Sequence, residues 1–325
     1  MSRTTVSIVF RALNEEKWFN QALKACHDQV LDDDTEMELI LVDSGSTDRT
    51  IEIAKRHDCK IYHIAKSEFT FGRSLNMGCD GASGDILVFI SAHCIPVDQT
   101  WLSRLISPLR EGKCDYVYGR QVGHAKATRF SEAQVFNHYY GSEDQLEQGG
   151  FFCNNANSAI LRSAWEKHRF DEAVTGLEDM VLAKAIVNDG GKVGYVADAG
   201  VVHIHEESLR QTYKRYYREA LVMRDIMPEI HFNLFDLTTC LVSGITHDLL
   251  EAAREKRFTR EFSGIFGYRF MQYWGTYRGH NEHRQLSRAQ KESYYYPRVK
   301  LKKDNPGAKL VDPSAKSELE AGTGR

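Results

Sequence analysis

Short apolar runs rich in β-branched residues alternate with helical stretches through the first 120 residues, and this alternation constrains the fold more than any other feature. The runs are VSIVF (6–10), ELILV (38–42), KIYHI (60–64), DILVFI (85–90) and YVYG (116–119), each bounded by Gly, Asp or Ser. Between them, as at 15–29 and 47–57, apolar residues recur three and four apart. That order predicts an α/β fold with a mostly parallel sheet flanked by helices. Ligands of such sheets bind beyond the carboxyl ends of the strands, so the loops after each strand are the places to search. Further on, MVLAKAIVND (180–189) has the pattern of a helix stopped by Gly190 and Gly191, and the strand-like KVGYVA (192–197) and GVVHIH (200–205) follow. Past Glu206 strand signals become rare, while Tyr, Arg and Lys recur at helical spacing. Residues 1–206 therefore read as the sheet domain and 207–297 as a C-terminal helical segment. The stretch 298–325, rich in Lys, Pro, Gly and Ser, reads as a disordered tail.

Composition narrows the function classes. With 42 Lys+Arg against 45 Asp+Glu the net charge is −3, which leaves no basic surplus for nucleic acid. Seven cysteines, at 26, 59, 79, 94, 114, 153 and 240, are odd in number and never arranged CxxC. They argue against a disulfide framework or a zinc knuckle and for a reducing, cytoplasmic compartment. No apolar run approaches the ~18 residues of a spanning helix, and MSRTTVSIVF lacks the long apolar region of a secretory signal. A soluble or peripheral protein is expected.

Two neighbouring loops carry the first chemical signals. Asp43 ends the ELILV strand in VDSGSTDRT, where its carboxylate can accept hydrogen bonds from a base or ribose, or simply cap a βα turn. Neither GxGxxG nor GxxxxGK[ST] is present, so no dinucleotide or P-loop site is indicated. Ala12-Leu13-Asn14-Glu15-Glu16 follows the first strand. Together, an Asn-Glu loop and then VD-x-GSTD-x-T resemble the nucleotide-binding opening of the family-2 glycosyltransferases of GT-A fold, and the resemblance runs through about residues 4–206. It implies that Asp43 contacts the nucleobase and that Asn14 and Glu15 line the nucleotide pocket.

The resemblance also orders the remaining signals. In FTFGRSLNMGCDGASGDILVFISAHCIP (69–96), Gly72, Arg73, Asn76 and Gly78 match the family's G-x-x-x-N-x-G helix, which implies a donor-side role for Arg73 and Asn76. Ser91-Ala92-His93 stands where the family has its Asp-x-Asp metal motif. Imidazole can replace a carboxylate as a ligand of Mn²⁺, so His93 is the expected ligand and Ser91 a ribose or water contact. In Val202-His203-Ile204-His205, strand alternation puts both histidines on one face; one would complete the shell, and His203 fits the resemblance better. Glu178-Asp179 opens the 180–189 helix, whose N-terminal dipole favours ionised carboxylates. The family carries an acidic pair there, implying Asp179 as base and Glu178 as its support or an acceptor contact. Asn154 and Asn155, in the polar loop 151–158, either bind acceptor hydroxyls or close turns. Lys214 and Arg215, in QTYKRYYR (211–218), either clamp a diphosphate or belong to a solvated basic face. Phe266, Tyr268, Phe270, Tyr273, Trp274 and Tyr277, interleaved with Arg269 and Arg278, pack the helical segment or rest on a membrane surface.

The resulting expectation is an inverting glycosyltransferase dependent on Mn²⁺ or Mg²⁺. It would move a sugar from a nucleotide-diphosphate donor to a glycan or lipid-linked acceptor of bacterial surface polysaccharide (capsule or O-antigen), with a peripheral membrane contact and a rhamnosyltransferase-like character. Two alternatives remain at this point. A degenerate domain that binds glycan or partners without catalysis is motivated by the missing Asp-x-Asp. A nucleotidyltransferase would need a Gly-rich, basic loop after the first strand, and ALNEEKW is not one.

Overall fold

The computed structural model describes residues 4–282. Its opening run is β1 (Thr4–Ala12), α1 (Phe19–His27), β2 (Thr35–Asp43), α2 (Thr50–Arg56), β3 (Lys60–His63), α3 (Phe71–Asp80) and β4 (Ile86–Ile90). These four strands pair in parallel, in the order β3-β2-β1-β4. Then come β5 (Cys94–Pro96), α4 (Trp101–Arg110), β6 (Tyr116–Gly123), α5 (Phe130–Tyr139), β7 (Asn157–Leu161), α6 (Arg162–His168), α7 (Glu178–Asn188) and β8 (Val193–His203). The whole sheet reads β3-β2-β1-β4-β7-β6-β8-β5. β7 runs antiparallel to both β4 and β6, β8 parallel to β6, and β5 antiparallel to β8.

Alternation along β1 shows why both faces are covered. Val6, Ile8 and Phe10 join one core with Phe19 and Leu23 of α1, Ile53 of α2 and Trp101 of α4. Val9 points the other way, into a second core with Leu75 of α3, Trp165 of α6 and Leu182 of α7. A strand buried on both faces reads as a continuous apolar run, as VSIVF and ILVFI do.

The polar stretch 151–158 corrects the expectation of a loop, because its end is the start of a central strand. Asn157 and Ser158 open β7 fully buried, and their polarity is absorbed inside the protein. Asn157 Oδ1 accepts from Trp101 Nε1 (2.9 Å), and its Nδ2 donates to the carbonyls of Ala199 (2.8 Å) and Arg120 (3.1 Å). The two strand-like segments at 192–205 are one strand, β8, which ends at His203.

The G-x-x-x-N-x-G pattern proves to be a docking surface of α3. A Cβ on Gly72 would lie 2.2 Å from the Asp171 carbonyl oxygen, and one on Gly78 would lie 2.5 Å from Val9 Cγ1. Both glycines therefore permit backbone approaches that no other residue fits. Asn76 sits between them.

Residues 207–282 hold α8 (Leu209–Ile226), α9 (Leu234–Arg254) and α10 (Phe258–His280). Expectations for 283–297 and for the tail 298–325 fall outside the described residues. Val222 and Ile226 of α8 pack on Met180 of α7, while Ala252 and Ile265 close over Phe130 of α5. The aromatic set of α10 divides in two: Tyr268 is buried, whereas Phe266 and Phe270 are exposed in one row with Phe258 and Phe262. Among the described residues no helix is long and apolar enough to cross a membrane. All seven cysteines are unpaired.

Candidate active site

The loops after β1, β2 and β4 meet at one end of the sheet. Asn14 adopts a left-handed backbone (φ 57°), which Asn tolerates better than most residues. Its Oδ1 accepts from Thr47 N (2.8 Å), and its own N–H donates to Ser46 Oγ (2.9 Å), so the first loop is stitched to the second. Asp43 is buried with its carboxylate accepting from Gly45 N (2.9 Å) and Ser46 N (3.1 Å). It caps its own turn, and Ser44 beside it lines the cleft.

That cleft, about 170 Å³ in volume and open to solvent, lies over the ends of β1 and β4. Arg11, Phe71, Ser91, His93 and Asn155 are on its wall. Asn155 is 5% exposed; its Oδ1 accepts from Tyr116 Oη and Ser158 Oγ, while its Nδ2 is buried with no partner. A buried donor left unsatisfied is costly, so this amide needs an acceptor from water or a ligand in the cleft.

Asp179 lies directly behind Asn155. Its Oδ2 accepts from Asn155 N (2.9 Å) and its Oδ1 from Met180 N (2.8 Å). Burial first, and the neighbouring Glu178 second, push its pKa up to about 7, against the opposing pull of those two N–H groups and Arg11. Glu178 pairs with Arg11 Nη1 (3.0 Å), whose guanidinium also lies over the Phe71 ring and donates to the Phe71 carbonyl. Leu177, directly before the two carboxylates, caps α7 in a left-handed conformation (φ 52°). Strain of this kind in a branched residue persists only where the surroundings impose it.

Three histidines gather at the β5–β8 edge. Register places Cys94 opposite His203, and Ile204 N donates to the His93 carbonyl (3.2 Å), so His93 sits between His203 and His205. Ligand nitrogens of all three lie within 4.8 Å of one another. His203 Nδ1–H donates to Gln121 Oε1 (2.6 Å), and its Nε2 is buried without a partner. A bulge in β6 between Gly119 and Gln121 sets the Gln121 register there. Burial and then the neighbouring His205 and His93 hold His203 well below the usual imidazole range, hence neutral, the form that ligates metal. These donors fit a divalent transition-metal ion.

A family model described as "Glycosyl transferase family 2" matches residues 7–169. The chain belongs to glycosyl transferase family 2. An O-antigen chain rhamnosyltransferase of Salmonella anatum is 31% identical over 192 residues, covering 55% of this chain and 60% of that protein. An O-antigen chain rhamnosyltransferase of Salmonella typhimurium is 27% identical over 223 residues, covering 65% of this chain and 70% of that protein. The first alignment thus spans less than two thirds of its relative. A mannosyltransferase of Pyrobaculum calidifontis, solved with GDP-Man and Mn²⁺, shares the fold with a TM-score of 0.57 at 16% identity, over 86% of this chain and 85% of that one. Glucosyl-3-phosphoglycerate synthase of Mycobacterium tuberculosis shares it with a TM-score of 0.51 at 20% identity, over 69% and 79%. The mostly parallel α/β architecture read from the sequence is that of these GT-A neighbours.

Three residues expected on the donor side, Asn76, Arg73 and Arg215, are engaged by partners within the protein. Asn76 is buried with its amide consumed: Nδ2 donates to the Phe170 carbonyl and Glu172, and Oδ1 accepts from Trp165 Nε1 and Phe170 N. It clamps the loop after α6 onto α3. Arg73 is held at the surface by Glu172 (2.8 Å) and the Glu68 carbonyl. Arg215 is sequestered by Glu132 (2.6 Å) and Glu207 (2.9 Å), so its charge is already matched. Lys214, on the same helix, does not line the cleft. Asn154 Oδ1 accepts from Ala156 N (3.0 Å), closing a turn. Glu15, in contrast, contributes an oxygen 3.3 Å from His93 Nδ1. Three contributors were not apparent in the sequence, among them Gln121, whose side-chain carbonyl meets His203 Nδ1. Arg11 had one signal, a lone charge ending an otherwise apolar strand; Glu132, on a helix with no obvious motif, had none.

Proposed function

We propose that this chain transfers a sugar from a nucleoside-diphosphate donor to a hydroxyl of a glycan or lipid-linked glycan, with inversion at C1, in bacterial surface-polysaccharide assembly of the O-antigen type. One observation carries the reading. Asp179, an acid tuned toward neutrality, stands behind the unsatisfied Asn155 amide at a cleft formed by the family's nucleotide-side loops. The Asp179 carboxylate takes the proton of the acceptor hydroxyl as that oxygen bonds to C1; the C1–O bond to the diphosphate breaks, and its electron pair leaves with the nucleotide. Arg11 offsets the charge of Glu178, so that one carboxylate of the pair is matched and the other is left to titrate. Asn155 Nδ2 orients a hydroxyl. His93 and His203 would hold Mn²⁺ or Mg²⁺, which when bound offsets negative charge on the departing diphosphate. The Salmonella relatives support the O-antigen assignment, and the neighbour solved with GDP-Man and Mn²⁺ supports the donor class and metal.

Incubation with UDP, dTDP, GDP and CMP sugars, each with and without Mn²⁺, tests this directly. One donor class is expected to release its nucleotide in an acceptor-dependent way; release from none would overturn the reading. A base must be ionised to act, so the rate is expected to fall as pH drops through about 7 and to level off above it. A kcat/KM profile flat from about pH 5 to 8 would remove Asp179 from this role.

The exposed row Phe258, Phe262, Phe266 and Phe270, with Lys256 and the glutamate-paired Arg254 and Arg260 at its head, supports a peripheral membrane contact that would bring a lipid-linked acceptor to the cleft. Sedimentation with anionic phospholipid vesicles is expected for the wild type and lost in the Phe262→Glu, Phe266→Glu double variant.

A further inference from the structure

We propose that His93, His203 and His205 together form a three-imidazole metal centre that takes a first-row transition-metal ion and discriminates against Mg²⁺. The inference deepens the transferase reading and rests on it for the ion's role. It departs from that reading by adding His205 as a full ligand and by narrowing the choice of metal.

Each ring is fixed through Nδ1 by a different element. His93 meets Glu15 of the loop after β1 (3.3 Å), His203 meets Gln121 of β6 (2.6 Å), and His205 meets Glu132 of α5 (2.8 Å). An acceptor on Nδ1 fixes the tautomer with Nε2 bare and raises its basicity, which is how metal-binding histidines are prepared. The buried, partnerless Nε2 of His203 is an independent sign that a ligand belongs there. The rings crowd together, with centroids 5.2 Å apart for His93–His203, 5.7 Å for His93–His205 and 4.0 Å for His203–His205. Three apposed imidazoles with no bridging donor gain little from one another unless a cation unites them. Glu132 is itself steadied by Arg215, so this support reaches back to α8.

The donor set decides the metal. Mg²⁺ favours oxygen ligands and retains its waters, whereas imidazole nitrogens suit transition metals, with affinity rising along the first row. Ser91 occupies the position where the family would supply a carboxylate.

The test uses the full chain, stripped with a chelator and titrated with Co²⁺, Mn²⁺ or Mg²⁺ alone. Pulsed EPR of the Mn²⁺ form is expected to report three coupled nitrogens, and Co²⁺ to bind at one equivalent with visible d–d bands. Mg²⁺ is expected to compete at least about 100-fold more weakly. His205→Gln should leave two nitrogens, and Glu132→Gln should retain three while weakening Co²⁺ binding about 10–100-fold. Two nitrogens or fewer in the wild type, or parity between Mg²⁺ and Co²⁺, would overturn the proposal, and the wild-type count decides even if His205→Gln fails to fold. The two readings fail separately. Three nitrogens in a protein that processes no nucleotide sugar would leave the centre and remove the transferase assignment. Transfer supported by Mg²⁺ with no nitrogen coupling would do the reverse.

Discussion

Asp179→Asn is expected to lower sugar transfer by about 10²–10⁴-fold, the usual contribution of a positioned general base, while leaving nucleotide affinity unchanged. The substitution preserves size and burial but abolishes proton acceptance. Asp179 accepts from Asn155 N and Met180 N, so the proposed donor half of the site, around Asn14, Ser44 and His93, should persist. Glu178→Gln offers the contrast: it removes the partner of Arg11 and one cause of the raised Asp179 pKa. Its pH–rate profile should therefore shift to lower pH as well as lose amplitude. A wild-type rate in Asp179→Asn, measured as nucleotide release under saturating donor, would contradict the assigned mechanism.

The second large effect concerns stability. Asp248 of α9 is fully buried and accepts two hydrogen bonds from the Arg269 guanidinium of α10, at 2.7 Å each, while Arg269 also donates to Gln272 (2.8 Å). Asp248→Ala leaves that guanidinium buried without its counter-charge, and removing one partner of such a pair costs about 3–5 kcal/mol. The α9–α10 pair should loosen, and because α10 packs along α8, the Arg215–Glu132 contact that steadies His205 should loosen with it. Urea unfolding is the appropriate readout. A loss below about 1 kcal/mol, the range of exposed ion pairs, would mean that the pair does not hold these helices together.

What the sequence made legible follows from the physics of each element. The parallel half of the sheet was plain because strands buried on both faces must be continuous apolar runs, and VSIVF and ILVFI are such runs. β7 was hidden because it is buried on both faces and opens with two polar residues, Asn157 on one face and Ser158 on the other, whose partners, Trp101 and Asn155, lie outside the strand. Short-range patterns singled out His93, Asp179 and the paired histidines as candidates, and all of them stand beside strand or helix ends. Function and packing could not be separated for Asn76 and Arg215. A fully satisfied buried amide and a ligand-binding amide look alike in one dimension, and only partners 94 residues away in Phe170, or 83 away in Glu132, distinguish them. Glu132 was invisible for the same reason, since its meaning depends on long-range closure of α5 over β8.

The most direct measurement is calorimetric titration of UDP, dTDP, GDP and CMP into the wild-type chain and into His93→Ala, with and without Mn²⁺. One nucleotide is expected to bind the wild type, more tightly with Mn²⁺, and His93→Ala to lose the Mn²⁺-dependent part. Failure of every nucleotide to bind the wild type, with or without metal, would contradict the transferase reading.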